Sequence, residues 1–143
     1  MSLAERREAW IAATNNRPLT RALGITGHDY GAGYVEQRIV PTPVSDDGRG
    51  SVLSFAITVS ADLCVLGAVI TTLDEAVEET NGTAALSMNY VDAPRSAVLV
   101  RGEVVHHGRN LRLIEITATD EGGRVVARGR GTYAVRQKRA VAK

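Results

Sequence analysis

The hydrophobic periodicity of this 143-residue sequence changes at Gly82. Between Leu66 and Val77 the apolar residues recur every three or four positions, which places them on one face of an α-helix. Asn81 and Gly82 would stop that helix. Beyond them, apolar and polar residues alternate as in half-buried strands. One central helix followed by several strands predicts an α+β fold, with an antiparallel sheet around or against the helix.

Short segments with strand-like patterning lie on both sides of the predicted helix, divided by turn-forming residues. Residues 41–50 are predicted to be a loop, and the β-branched residues that follow are compatible with one further strand before the helix. The predicted strands are residues 25–29, 34–40, 51–60, 83–91, 97–107, 111–119 and 124–135.

The N-terminal region predicts two short helical pieces that flank the sheet. Ser2 is a suitable N-cap for an amphipathic helix over residues 2–14. Pro18 begins a second helical turn, and Gly24 would end it. We expect residues 1–143 to form a single domain with a flexible tail at 137–143.

Composition excludes several classes of function. The net charge is +1, and the basic residues gather near the C-terminus, a distribution that does not favour a nucleic-acid partner. No apolar stretch approaches the roughly 20 residues of a membrane helix, and no secretory signal is present, so we expect a cytoplasmic protein without a membrane partner.

The few metal-ligating and nucleophilic residues argue against metal chemistry. Cys64 is the only cysteine, which rules out an intrachain disulfide and is more typical of a core residue than of a nucleophile. The three histidines, His28, His106 and His107, are not paired with an acid at metal-ligand spacing on a helix. We therefore expect no bound metal.

Two adjacent acids, Asp74 and Glu75, end the apolar run. On the predicted helix Asp74 lies at the edge of the apolar face, and Glu75 points away from it. A carboxylate at such a boundary is partly desolvated, which makes it a stronger base. The alternative is that Asp74, Glu75, Glu78 and Glu79 form one solvated helix face.

The predicted geometry requires two copies of the chain. Backbone N–H groups at the start of the predicted helix, near Leu66 and Gly67, are suited to polarising a carbonyl oxygen. Asp74 lies roughly 10 Å further along the helix axis. Because both groups must lie about 3 Å from the reacting carbon, a working site would combine Asp74 of one copy with the helix start of another.

Residues 62 to 135 resemble the hotdog-fold thioesterases of the phenylacetate-degradation type, which hydrolyse acyl-CoA esters. The resemblance rests on "GAVITTLDEA", "TAALSMNYVDAP" and "VVHHGRNLRLIEITATDEGGRVVARGRGTYAV". It implies a hotdog fold, in which an antiparallel sheet wraps around a central α-helix. It also implies an acyl-CoA substrate, no cofactor beyond the CoA of that substrate, and a homodimer or a dimer of dimers.

The resemblance assigns roles to individual residues. In that family a His-Gly-Gly turn opens the central helix, and an aspartate seven residues after its last glycine activates water or attacks the thioester. Counting from Gly67 places this aspartate at Asp74 and the oxyanion amides at Leu66 and Gly67. Thr83 matches a hydroxyl that orients the attacking water. In this chain Val65 and Leu66 replace the His and the first Gly.

The resemblance also implies contacts with the CoA phosphates from the "HHGRN" hairpin and the last strands. The candidates are His107, Arg109, Arg128 and Arg130. The two arginines of the last strand share a face with Arg124 and are equally compatible with a solvated surface.

Two functions of different classes stay open. The first is an acyl-CoA thioesterase with Asp74 as general base or nucleophile. The second is a non-catalytic hotdog module that binds acyl-thioesters or acts in assembly, which the replacements at Val65 and Leu66 favour. The family often places an Asn upstream of the turn, where this chain offers Ser60 and Asp62.

Overall fold

The structure is a computed structural model, and it describes residues 1–139. Within those residues the chain forms three helices and six strands. The helices are α1 (Leu3–Asn15), α2 (Pro18–Leu23) and α3 (Ser54–Thr72). The strands are β1 (Ile25–Gly31), β2 (Tyr34–Ile39), β3 (Glu78–Tyr90), β4 (Val98–His107), β5 (Leu111–Asp120) and β6 (Val125–Gln137).

The strands form one antiparallel sheet in the order β1-β2-β4-β5-β6-β3. The sheet curves around α3, which packs against its inner face and supplies the centre of the hydrophobic core. This arrangement confirms the predicted α+β fold with an antiparallel sheet wrapped around a central helix. Strands β1 and β3 form the two edges of the sheet.

The central helix begins at Ser54 instead of near Val65, and it ends at Thr72 instead of near Asn81. The strand predicted over residues 51–60 is therefore wrong, because most of this segment forms the first half of α3. Burial against the sheet outweighs the weak strand preference of its β-branched side chains. The buried positions recur at helical spacing and are Ala56, Ile57, Ser60, Ala61, Cys64, Val65, Ala68 and Val69.

Neither end of α3 carries the usual sequence signal. Its N-cap is Leu53, whose side chain makes no capping hydrogen bond. At the other end the backbone becomes extended at Leu73, without a glycine. Gly82, predicted to stop the helix, lies instead in β3 with a φ of 119°, where the pairing with β6 is irregular.

Two glycines let the sheet approach α3 closely. A Cβ atom on Gly131 would lie 2.4 Å from a methyl carbon of Val65, and one on Gly102 would lie 2.9 Å from the carbonyl oxygen of Cys64. Side chains at these positions would push the strands away from the helix. Cys64 is wholly buried, which confirms the prediction that it is a core residue, and burial raises the pKa of its thiol to about 12.

The remaining elements agree with the sequence prediction to within a few residues. Ser2 caps α1 in a capping box with Glu5, and Gly24 ends α2 in the left-handed conformation. Strand β3 begins earlier than predicted, at Glu78. Of the predicted tail, Gln137 ends β6, and residues 140–143 lie outside the described part of the chain.

By length and composition alone, α3 is long and apolar enough to cross a membrane. Its most apolar 18-residue window has a mean hydropathy of 1.8, and half of that window is buried inside the fold. The core helix of a globular domain meets the same criteria, so this property assigns no membrane location.

Candidate active site

A face of α3 that the sheet does not cover is mostly apolar and carries one acid. We call this face the open stripe. Its members lie close together around the helix, and all are at least partly exposed. They are Phe55, Thr58, Val59, Asp62, Leu63, Leu66 and Ile70. Asp62 is thus an exposed carboxylate with apolar neighbours on its own helix.

Asp62 is held by a hydroxyl group from the edge strand. The Oγ1 atom of Thr83 donates a hydrogen bond to Oδ1 of Asp62 over 2.9 Å. Thr83 lies between two irregularities in the pairing of β3 with β6, and the first of these includes Gly82. Such bulges redirect side chains, and here they accompany a threonine hydroxyl aimed at α3. The second carboxylate oxygen has no hydrogen-bond partner within residues 1–139.

The first backbone amides of α3 are available to a ligand. Among the residues that the structure describes, no group accepts a hydrogen bond from the N–H of Ser54 or Phe55. Helix N-termini carry partial positive charge and donate to anions and polarised carbonyl oxygens. Beside them lies an open cavity of about 430 Å³. Its lining is Asp47, Val52, Leu53, Ser54, Ile57, Tyr90, Val91, Asp92, Ala93 and Pro94.

The oxyanion donors predicted from the sequence are wrong. Leu66 and Gly67 lie in the interior of α3. Their amide hydrogens are therefore used within the helix and cannot bind a substrate oxygen. The physical cause of the error is the position of the helix start, which is at Ser54.

Asp74 is not on the central helix. It lies in an exposed turn after α3, where its Oδ1 accepts a hydrogen bond from the amide of Ala76. Thr83, whose hydroxyl was predicted to orient the attacking water, donates a hydrogen bond to Asp62 and not to Asp74. The base role predicted for Asp74 stays untested, but the helix register on which it was based is wrong.

Counting from the observed helix start selects a different aspartate. The turn that opens α3 contains Leu53, Ser54 and Phe55, and Asp62 follows Phe55 by seven residues. This is the spacing that the resemblance implies between the last residue of the turn and the catalytic acid. Sequence reasoning missed it because none of the three turn residues is His or Gly.

The acid and the free amides of one chain cannot act on the same atom. Asp62 lies eight residues after Ser54, which is about 12 Å along the helix axis. A reacting carbon must lie about 3 Å from both groups. A site that used both groups would therefore need two copies of the chain, although with different residues from those predicted.

The four residues predicted to bind CoA phosphates do not form one cluster. His107 and Arg109 are exposed at the turn between β4 and β5. Arg128 and Arg130 are exposed on β6, and Arg130 pairs with Glu115 over 3.3 Å. Their role as CoA ligands stays a prediction.

A buried ion pair anchors the start of β3, the strand that carries Thr83. Arg112 has a fully buried side chain, and it donates to Glu78 over 2.7 Å and to the carbonyl oxygens of Gly108 and Arg109. Burial by itself raises the pKa of Glu78, but the hydrogen bond from Arg112 outweighs it, together with other favourable contacts, and the pKa is lowered. Glu78 therefore does not belong to a solvated helix face.

The chain has the fold of solved thioesterases. A thioesterase from Haemophilus influenzae superimposes with a TM-score of 0.79 at 17% identity, over 100% of this chain and 96% of that one. A mutant thioesterase from Pseudomonas aeruginosa gives 0.78 at 17% identity, over 96% of each chain. A hypothetical thioesterase from Streptococcus pneumoniae, solved with coenzyme A, gives 0.67 at 22% identity, over 81% of this chain and 88% of that one.

These likenesses confirm the predicted hotdog fold. No protein-family model and no curated protein sequence matches the chain. The phenylacetate-degradation subtype stays a prediction.

Proposed function

We propose that this chain is an acyl-CoA thioesterase, which hydrolyses an acyl-CoA to a free acid and CoA. The observation that carries the proposal is the hydrogen bond from Thr83 to Asp62, because it orients a carboxylate on the open stripe of a thioesterase fold. The coenzyme A in the Streptococcus pneumoniae structure of the same fold supports a ligand of the acyl-CoA type.

In the proposed reaction Asp62 accepts a proton from a water molecule, which attacks the thioester carbon. The carbonyl oxygen gains negative charge, and the amides of Ser54 and Phe55 from a second copy stabilise it. The C–S bond then breaks, CoA leaves, and the proton held by Asp62 can pass to the departing sulfur. Alternatively Asp62 attacks the carbon itself, and water hydrolyses the resulting anhydride. Thr83 positions the carboxylate in either route.

The site proposed here needs a dimer in which two α3 helices run in opposite directions. Strand β3 is a sheet edge of thirteen residues, so pairing two copies of it would continue the sheet across the dimer. The substrate would then lie between Asp62 of one copy and the helix start of its partner. A dimer of dimers is compatible with the same site.

We expect light scattering at micromolar concentration to give a mass of at least twice 15.3 kDa. The reason is that neither copy alone brings an acid and free amides to one carbon. Hydrolysis by a protein that stays monomeric under the assay conditions would contradict the shared site.

The direct test of the function is release of free CoA thiol from a panel of short, medium, aromatic and long acyl-CoAs. Hydrolysis of at least one of them above the rate without protein is the expected result. No release from any member would contradict the proposed activity. The panel also measures which acyl groups the site admits.

We expect Thr83→Val to lower kcat about tenfold, because it removes one hydrogen bond to a charged group while keeping the shape of the side chain. Thr83→Ser keeps the hydroxyl and should recover most of the loss. Turnover and thermal midpoint are measured for both variants. Equal turnover of the Val and Ser variants would mean that the hydroxyl does not position Asp62.

One observation favours a second function, a non-catalytic module that binds acyl-thioesters. The side chain of Phe55 stands at the helix start and is 45% exposed, where the resemblance places a glycine. A ring at this position narrows the approach to the amides. Binding of acyl-CoA without release of CoA would select this alternative.

A further inference from the structure

A small cavity of about 40 Å³ lies between α3 and the N-terminal helices α1 and α2. We propose that it receives the far end of the acyl group and selects acyl chains that end in a hydroxyl or keto oxygen. This inference rests on the proposed function and adds a substrate class to it.

The cavity adjoins the open stripe. Leu63, Leu66 and Ile70 form part of its wall, and all three belong to the stripe that carries Asp62. Leu66 follows Asp62 by one helical turn, about 6 Å along the axis. An acyl group whose carbonyl carbon lies at the Asp62 carboxylate can thus follow an apolar path to the cavity.

Gln37 presents a buried polar group to this space. Its residue is 1% exposed, and it lines the cavity from β2. The side-chain oxygen accepts a hydrogen bond from Ser60 over 2.7 Å, but the amide nitrogen donates to no group within residues 1–139. The nitrogen is therefore available to a ligand that brings an acceptor.

Trp10 supplies a second donor from α1. Its indole ring lines the cavity, and the indole nitrogen has no acceptor in the described part of the chain. The nitrogen lies only 3.1 Å from the place where a Cβ atom of Gly67 would stand. Because Gly67 has no side chain, the indole ring of Trp10 can pack directly against the backbone of α3.

The other polar groups of the cavity lining strengthen the preference for an acceptor. Arg17 adds a positive charge, and none of the described residues that line the cavity is acidic. The hydroxyl of Thr20 already donates to the carbonyl oxygens of Thr14 and Arg17. An oxygen atom in the cavity can therefore accept a hydrogen bond from Gln37 or from Trp10, whereas a terminal methyl group can accept from neither.

The size of the cavity assigns it to the acyl side of the substrate. Its volume accommodates about three water-sized groups, which is far too little for the pantetheine arm of CoA. Gly67 lies five residues beyond Asp62, about 7.5 Å along the axis, a span that suits an acyl chain of about six carbons. A hydroxyl or keto oxygen at the end of such a chain would reach the cavity that Gln37 and Trp10 line.

The test compares 6-hydroxyhexanoyl-CoA with hexanoyl-CoA by the ratio of their kcat/KM values. We expect the parent protein to prefer the hydroxylated substrate about tenfold or more. Trp10→Phe and Gln37→Leu each remove one donor and should each lower that ratio about three- to tenfold. Ile11→Val trims α1 on the side that contacts Gly27 and should leave the ratio unchanged. Hydrolysis of both substrates with equal kcat/KM in the parent would overturn the inference and leave the proposed function standing.

A binding measurement separates failure of the inference from failure of the proposed function. Trp10 is the only tryptophan, so its fluorescence reports directly on the cavity. The Asp62→Asn protein is titrated with each of the two acyl-CoAs. Tighter binding and a larger fluorescence change with the hydroxylated compound support the inference, even for a protein that releases no CoA. Identical titrations overturn it.

Discussion

Asp62→Asn is expected to lower acyl-CoA turnover by two to four orders of magnitude, the range of a general-base contribution. The substitution keeps the size of the side chain and removes both the charge and the basic oxygen. Asp62 is exposed and makes one side-chain hydrogen bond within residues 1–139, so the thermal midpoint should change little. The measurement is kcat on the best substrate of the panel, with the melting curve of the same preparation.

Asp74→Asn is the matched control, because it makes the same change in the exposed turn after α3. Its turnover should stay within a few-fold of the parent. The opposite outcome, an inactive Asp74 variant beside an active Asp62 variant, would contradict our site and support the residue predicted from the sequence. An active protein that tolerates both changes would show that neither acid is the base.

Glu78→Gln is expected to lower the free energy of unfolding by about 3–5 kcal/mol, the usual cost of leaving a buried charge without its partner. Arg112 is 0% exposed and Glu78 only 12%, so water cannot replace the lost carboxylate easily. Urea unfolding of both proteins measures the difference. The control is Glu79→Gln, since Glu79 and Arg136 form an ion pair with exposed side chains, and its loss should cost less than about 1 kcal/mol.

The same ion pair predicts the direction of acid sensitivity. The pKa of Glu78 is lowered in the folded protein, so its charged form stabilises the fold above the usual carboxyl pKa of about 4.3. That stabilisation is lost as the pH falls through the lower, folded-state pKa. The unfolding free energies of the parent and the Glu78→Gln variant should therefore approach each other as the pH falls below the folded-state pKa of Glu78. A constant difference between pH 7 and the acid end would mean that Glu78 does not titrate in this way.

The sheet could be predicted because its signal is local. Strands β4, β5 and β6 alternate apolar and polar residues, and turn residues divide them, so their bounds were found to within two residues. The short helix at Pro18 was equally clear, because Gly24 ends it in a conformation that few other residues adopt.

The central helix could not be placed because its signals are tertiary. Its buried face includes Ser60 and Cys64, which do not read as an apolar stripe when polarity alone is counted. Leu53 gives no capping signal at its start. The position of the catalytic acid was then counted from Gly67, the only glycine in the segment that could match the turn. This count gave Asp74.

The cavity beneath α1 could not be predicted from the sequence, for a different reason. Trp10 and Gln37 are far apart along the chain and belong to different elements, α1 and β2, which the folded structure brings to one cavity. No local spacing links an indole nitrogen on α1 to a buried amide on β2. Such groupings can be found only from the packed structure.

Because Cys64 is buried, its reaction with an alkylating reagent can measure how often the core opens. Alkylating reagents react with thiolates, and a thiol of pKa about 12 beneath the sheet offers them almost none while the fold is closed. Because the chain has no other cysteine, each alkylated molecule records one event in which α3 separated from β4. The labelling rate thus measures how often the native core opens, at protein concentrations and temperatures where the population of unfolded chains is too small to observe.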